Sequence, residues 1–396
     1  MRILIVHNRY RSAQPSGENL AVDRQLELLT AAGHEVATYE RSSDEIQHYG
    51  LGEKLLVPGR VVWSQRSRRE VTRALEQHRP DVVHVHNTFP LISPSILEPC
   101  ARASALVVTL HNYRLVCPEA QLFRDGSPCE LCVGRVPWPS VVHGCYRGSR
   151  VSTAPLALAV GAHRATRVWT RHVPVLIALS EFARDRLIAG GLGPDQLAVL
   201  PNFSPRPQRR RLGPGSHFLF LGRLSPEKAP ELVLEAWRPE LGTLLVAGDG
   251  PLRQRVSSAA ARHGDSVRVL GLQSPARAME LLADARALIV ASRVYEACPL
   301  VIAEALACGV PVIAPAHGAF AEMVEDRSTG RLFAPGRAAE LTTCLRELRD
   351  DATSIRMGRE AEVVYERRFS PQRHLEQLLE VYDRARRARS HRWPGP

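Results

Sequence analysis

The chain of 396 residues is about twice the usual length of one domain, so two domains are expected. With 44% hydrophobic and 23% charged residues it has the composition of a folded protein, which excludes a disordered one. Charges or prolines break every apolar run well short of a bilayer span, and Met-Arg-Ile-Leu-Ile-Val-His is too short for the apolar part of a secretory leader; a soluble cytoplasmic chain is expected.

The net charge of +11 is unevenly spread: four arginines fall between Arg206 and Arg211 and five between Arg384 and Pro396, with no acid in either stretch. The rest is close to balance. No basic stripe interleaved with aromatics runs through the body, so nucleic acid is not an expected partner and the two runs read as a solvated linker and tail. Only Lys54 and Lys228 are lysines among the 52 basic residues. A lysine kept in so arginine-rich a chain suits a place where a compact, rotatable ammonium fits and a planar guanidinium does not.

In chain order, short apolar strands alternate with amphipathic helices, the pattern of an α/β fold with parallel sheets. Ile3 to Val6 is a first strand, Leu20 to Ala32 a helix ended by Gly33, and His34 to Tyr39 a second strand. Asp81 to Val85, Leu106 to Leu110 and Val175 to Leu179 follow as buried strands. The Pro/Arg/Gly-rich stretch 204–216 marks a boundary, and strands recur at His217 to Leu221, Thr243 to Ala247, Ser266 to Leu270, Ala287 to Ala291 and Val310 to Ala314. The expected division is an N-terminal Rossmann-like domain over 1–203 with a cysteine-rich insertion at 113–150, a linker at 204–216, a second Rossmann-like domain over 217–370, and a cross-over helix with basic tail over 371–396. In such sheets ligands gather at the carboxyl ends of the strands, so the loops of two facing domains would line one cleft.

The chemistry concentrates in two segments of the second half. After the strand ending at Ala291, a loop carries Glu296, and a helix entered near Pro299 and left at Gly309 carries Glu304 among Leu300, Val301, Ile302, Ala303, Leu306 and Ala307. An ionised carboxylate in such company is costly unless something donates hydrogen bonds to it, which favours a ligand over a glutamate on one wet stripe. Earlier, Phe220-Leu221-Gly222-Arg223-Leu224-Ser225-Pro226-Glu227-Lys228 follows the first strand of that half and places two cations at a strand end.

The run Glu296, Glu304, Ala305, Ala307, Gly309, Pro311 and Val312 resembles the signature of glycosyltransferase family 4, retaining enzymes of the GT-B fold that move a sugar from a nucleotide donor. Gly222-Arg223-Leu224 with Lys228 resembles the family element that binds the donor diphosphate. The resemblance implies that Glu304 holds the ribose hydroxyls, and that Glu296 with the backbone at Cys298 and Leu300 grips the transferred sugar. It further implies that Leu272, after Gly271, meets the base. In the first half, Ser16-Gly17-Glu18 opens a helix whose glycine lets N–H groups approach a phosphate, and Thr109-Leu110-His111-Asn112 resembles the segment whose histidine contacts the sugar, with Asn112 where the family has an acid. His84, His86 and Asn87, at the neighbouring strand end, are candidates for touching acceptor. Ala-Cys-Pro after Glu296 departs from the family's usual run and leaves the sugar open. The expected partners are therefore a nucleotide-sugar donor of the UDP or GDP type and a carbohydrate, lipid-linked or small-molecule acceptor, with no cofactor needed for catalysis. The rival readings are another enzyme on this scaffold, such as an epimerase or a phosphorylase with its pyridoxal lysine, and a basic binding protein without catalysis.

Two features stand apart. Cys117, Cys129, Cys132 and Cys145 crowd one stretch, and the Cys-Glu-Leu-Cys pair has metal-ligand spacing, so a structural zinc stapling the insertion is expected, with His143 as an alternative ligand and a reduced cluster or regulatory disulfide as the other readings. Val61 to Leu75 and Ala154 to Arg171 read as amphipathic helices with basic faces, suited either to ordinary surface positions or to peripheral association with a membrane's inner face.

Overall fold

The computed structural model describes residues 1–12 and 16–392, the side chains of the last two aside; 393–396, the end of the expected basic tail, lie outside the described residues. It divides into two compact units: Met1–Leu122 with Cys129–Pro201 and Leu375–Pro396, and Phe123–Pro128 with Asn202–His374.

Unit one is built on β1 (Arg2–Arg9), β2 (Glu35–Ser42), β3 (Val82–Asn87), β4 (Ala105–Leu110), β7 (Val175–Ala178) and β8 (Leu197–Val199). These form one parallel sheet in the order β2-β1-β3-β4-β7-β8, while β5 (Phe123–Arg124) and β6 (Ser127–Pro128) make a separate antiparallel pair. Every residue of β3 and β4 is buried, and β4 reads as a nearly continuous apolar run because helices on both faces of a parallel sheet leave no wet side, while β3 alternates its valines with the buried His84 and His86. Helix α1 (Gly17–Ala31) starts where Ser16 Oγ accepts from Asn19 N–H, and the chain leaves it through Gly33 at φ +80°.

The amphipathic stretch expected over Val61 to Leu75 is two helices, α2 (Leu51–Val62) and α3 (Gln65–His78). Trp63 and Ser64 are extended between them because Ser64 takes the cap of α3, its Oγ accepting from Ser67 N–H at 3.3 Å. Of the basic face, Arg66 pairs with Glu70 and Arg68 with Glu98, while Val71 and Leu75 are buried. Two further helices, α4 (Trp138–Val142) and α5 (Arg150–Ala165), precede β7.

Unit two carries β9 (His217–Leu221), β10 (Leu244–Ala247), β11 (Val267–Gly271), β12 (Ala285–Ile289), β13 (Val312–Pro315) and β14 (Gly330–Phe333), all parallel, in the order β11-β10-β9-β12-β13-β14. Its core gathers Phe218, Trp237, Leu244, Ile289 and Leu341. Helix α6 (Leu300–Ala307) buries Ile302, Ala303, Leu306 and two more alanines. The last helix, α7 (Pro371–Arg392), contributes its residues from Leu375 onward to unit one, where the Tyr382 hydroxyl reaches His84 Nδ1 at 2.9 Å.

The stretch 204–216 is exposed over most of its length, with neither helix nor strand, but its arginines are partnered. Arg206 pairs with Glu366, Arg209 with Asp284 and Arg210 with Glu362, and the Arg211 guanidinium donates to Ser354 and to the carbonyls of Pro214 and Arg286. Burial pushes the Arg211 pKa down to about 10. The arginine run is a strap across unit two rather than a free basic patch.

Candidate active site

In unit two the strand order reverses between β9 and β12, which diverge from there to opposite sides of the sheet, and such a switch point is where an open parallel sheet leaves a crevice at its carboxyl end. Arg223 follows β9 and Glu296 follows β12, so the fold brings both expected groups to this point. The loops there approach closely: a Cβ on Gly248 would collide with the Gly222 carbonyl oxygen, and one on Gly250 would lie 2.5 Å from the Leu224 carbonyl oxygen. Only glycine permits that approach, since both positions also take positive φ, +143° and +157°.

Lys228 closes a short 3-10 turn and is followed by Ala229 in the left-handed region at φ +48°, a conformation that costs a non-glycine residue about 1–2 kcal/mol. Its ammonium meets Glu296, with Nζ 2.7 Å from Oε1. The same carboxylate oxygen accepts from Ser292 Oγ at 2.6 Å, and His317 Nε2 donates to the Ser292 carbonyl at 3.0 Å. Desolvation keeps the His317 pKa below its ordinary value, so the ring acts as a neutral donor. The Glu296 side chain is only 16% exposed. Arg223 is exposed and forms no ion pair among the described residues, leaving a cation available at the strand end.

Glu304 sits differently from the expectation of a carboxylate sealed among apolar neighbours. Leu300, Val301 and Glu304 are half-buried at helical spacing while Ile302, Ala303, Ala305, Leu306 and Ala307 face the core. The carboxylate therefore lies on the open stripe of α6. Leu300 is the first residue of that helix, so its N–H has no partner within the helix. The Cys298 carbonyl accepts from Asn202 Nδ2 at 3.1 Å and its thiol is buried against Met323, which fixes the backbone before α6. Leu272, just beyond β11, is exposed.

Unit one presents a second polar constellation at the ends of β1, β3 and β4. His111 Nε2 lies 3.0 Å from His86 Nδ1 with the rings stacked, and Gln25 Nε2 reaches both His84 Nδ1 and His86 Nε2. Although His111 reaches a cavity of about 480 Å³ lined also by His86, Asn87, Arg114, Val160 and Arg164, the surrounding protein pushes its pKa down to about 3. It is a neutral ring near pH 7. Gly17 is the exposed first residue of α1, and next to it the Glu18 carboxyl accepts from Asn112 Nδ2 at 3.3 Å. Burial raises the Glu18 pKa to about 7 despite nearby Arg114, and its Oε1 is sealed from water with no hydrogen-bond partner among the described residues. No pattern in the residues singles out Gln25, and Glu18 stands out only as the neighbour of Gly17; a glutamate in the first turn after a strand-end loop was the available signal.

The expected zinc site is not formed. Among the described residues no three histidine, cysteine or acidic side chains gather as a group able to hold a metal ion, and Cys117, Cys129, Cys132 and Cys145 form no disulfide. Cys117 and Cys132 are buried in the loop packing, while Cys129 and Cys145 are half-buried; burial, with the other three thiols nearby, pushes the Cys132 pKa up to about 11.

Both halves of the chain match known families. Residues 215–351 match the family model described as glycosyl transferases group 1, and residues 16–204 match that of glycosyltransferase family 4. A D-inositol 3-phosphate glycosyltransferase of Streptomyces coelicolor is 31% identical over 63% of this chain and 66% of its own length, and one of Arthrobacter is 33% identical over 49% of each, so the chain spans about half to two thirds of these curated relatives. A Mycobacterium tuberculosis glycogen synthase is 26% identical over the whole chain and 97% of its own length. Among solved structures, sucrose-phosphate synthase of Thermosynechococcus elongatus superposes with a TM-score of 0.71 and 18% identity over 98% of this chain and 99% of that one. The Anabaena protein HepE in complex with UDP superposes with a TM-score of 0.66 and 18% identity over 97% and 100%. With two parallel-sheet α/β units of the GT-B kind and both halves matched, the chain belongs to the group 1 and family 4 glycosyltransferases.

Proposed function

We propose that the protein is a retaining glycosyltransferase that takes a sugar from a nucleoside diphosphate donor of the UDP or GDP type and joins it to an acceptor hydroxyl. The observation that carries this reading is the Lys228–Glu296 ion pair beside the unpaired cation of Arg223 at the switch point of unit two. In the proposed reaction Arg223 and Lys228 neutralise the charge that grows on the diphosphate as the bond from the anomeric carbon to the phosphate oxygen breaks. Glu296, oriented by Lys228 and Ser292, accepts hydrogen bonds from the hydroxyls of the transferred sugar. Glu304, on the open stripe of α6, accepts from the ribose hydroxyls, the Leu300 N–H contributes at the helix start, and Leu272 meets the base. The acceptor oxygen bonds to the anomeric carbon on the face the phosphate leaves, and its proton passes to the departing phosphate oxygen, so no covalent intermediate on a carboxylate is required.

Unit one is assigned to the acceptor, with His111 as a neutral hydrogen-bonding ring, Gly17 opening a helix toward phosphate, and the cavity beside His86 and Arg114 as the acceptor pocket. The UDP bound by HepE and the substrate named for the inositol phosphate relatives support a nucleotide donor and a polar acceptor. Stabilisation against thermal unfolding by one nucleoside diphosphate, followed by transfer from its sugar with the anomeric configuration read by NMR, tests the proposal. A donor screen without any shift, or an inverted product, overturns it.

A further inference from the structure

Unit one has another cavity, of about 820 Å³, at the end of its sheet opposite the histidines. Arg2 at the start of β1, Asp81 just before β3 and Ala105 at the start of β4 line it, whereas His86 and His111 lie at the other ends of β3 and β4. Five arginines converge there, Arg2, Arg79, Arg102, Arg386 and Arg389, against two lining carboxylates, Glu76 and Asp81. They come from separate elements: Arg79 ends α3, Arg102 belongs to the short helix Leu97–Ala103, and Arg386 and Arg389 share one face of α7 at i,i+3 spacing. Two of the arginines expected in a solvated tail therefore belong to the wall of a cavity. Their charge is only partly offset. Arg2 meets Asp81 at 3.6 Å, while Arg102 and Arg386 pair with Glu98 and Asp383, which lie outside the lining. Arg79, held at φ +41°, forms no ion pair among the described residues, and Arg389 Nε is sealed from water with no hydrogen-bond partner among them.

Like charges drawn together from distant parts of the chain repel one another unless an anion compensates them. The chemistry of the lining says which anion. No aromatic side chain lines the cavity, and none of the large apolar residues exposed elsewhere borders it. Bases have nothing to stack on and hydrocarbon has nothing to enter, which argues against nucleic acid and lipid. Guanidinium groups around a polar hollow suit phosphate, whose oxygens each fork can take through two parallel N–H bonds. The volume is that of a small-molecule site, and five arginines against two carboxylates leave an excess of three positive charges, more than one phosphate group neutralises.

We infer that this arginine-lined pocket binds a free small molecule carrying two or more phosphate groups, as an effector site apart from the switch point of unit two. One turn before Arg386, the Tyr382 hydroxyl meets His84, so an anion gripped by Arg386 and Arg389 also fastens the helix that supports the histidine cluster. The test is calorimetric titration with inorganic tripolyphosphate of the full chain carrying R223A/K228A, which takes the cations of unit two out of the measurement. Nothing is turned over, so failure here and failure of the transfer reading are separate results. One site per chain is expected, weakened by salt and with Kd raised about tenfold or more when R79A/R386A is added. Hydrogen exchange of the unaltered chain reads the same contact should a variant misfold: tripolyphosphate is expected to slow exchange over 76–81 and 382–390. No binding, or binding that R79A/R386A leaves unchanged, overturns the proposal. Tripolyphosphate left unbound while a single-stranded oligonucleotide or phosphatidylglycerol vesicles bind through the same arginines overturns it as well.

Discussion

The Lys228 ammonium and the Glu296 carboxylate, brought together from the ends of different strands, form a 2.7 Å ion pair that Ser292 shares. The pair keeps both charges compensated by each other. Loss of either partner leaves the other uncompensated, so each should matter more to chemistry than to folding, because the lysine is still about a third exposed.

Lys228→Ala and Arg223→Ala are each expected to lower kcat by about 10²–10³-fold, the scale set by removing one charge from a transition state. Lys228→Arg should rescue poorly, since the planar fork cannot occupy the place of a compact ammonium. Steady-state kinetics with the donor found by thermal shift, alongside unchanged Tm, checks this; near-normal turnover in both alanine variants removes the leaving-group role.

Glu304→Ala should act on the donor alone. Losing hydrogen bonds to a charged acceptor costs about 1.5–3 kcal/mol, so a donor KM raised about 10–100-fold with a smaller change in kcat is the expected pattern. Calorimetric titration with the nucleoside diphosphate reads the same loss without turnover.

Glu18 gives a pH signature. Its carboxyl titrates near 4.5 when unfolded and at about 7 in the fold, so between those values the native state holds the extra proton. Stability from this group is full below about pH 4.5 and is lost as pH rises through 7. Glu18→Gln, which cannot ionise, should therefore gain Tm relative to the parent as pH climbs from about 4.5 to 7 and keep that gap above it. Parallel melting curves would show the carboxyl to be ordinary.

The four cysteines of the insertion are expected to hold no metal. Dialysis against a chelator should leave Tm unchanged, and a thiol reagent should modify half-buried Cys129 and Cys145 ahead of buried Cys100 and Cys308. A Tm drop on chelation, restored by zinc, would contradict the loop packing.

Much of the proposed donor constellation lies close together in the sequence because it is local: Arg223 and Lys228 share one strand-end loop, and Glu296 and Glu304 share another loop and its helix. The unit-one constellation was harder to read. Gln25, His84, His86 and His111 lie on α1, β3 and β4 or just beyond them, and no spacing rule links them; their hydrogen bonds exist only once the parallel sheet sets those strands side by side. Glu304 misled for the converse reason, since apolar neighbours in sequence point to the other side of a helix. The arginine strap misled because composition counts charges and not their partners.

Sequence alone determined the alternation of strand and helix and the parallel α/β class, because hydrophobic period and turn chemistry act over a few residues. Tertiary structure decided which charges meet: that Lys228 pairs with Glu296, that Glu18 is sealed beside Asn112, that the cysteines of the insertion form no disulfide, and that the leucines of α2 stay exposed. Burial, desolvation and ion pairing depend on what the rest of the chain brings within a few ångströms, and a linear pattern holds no record of that distance.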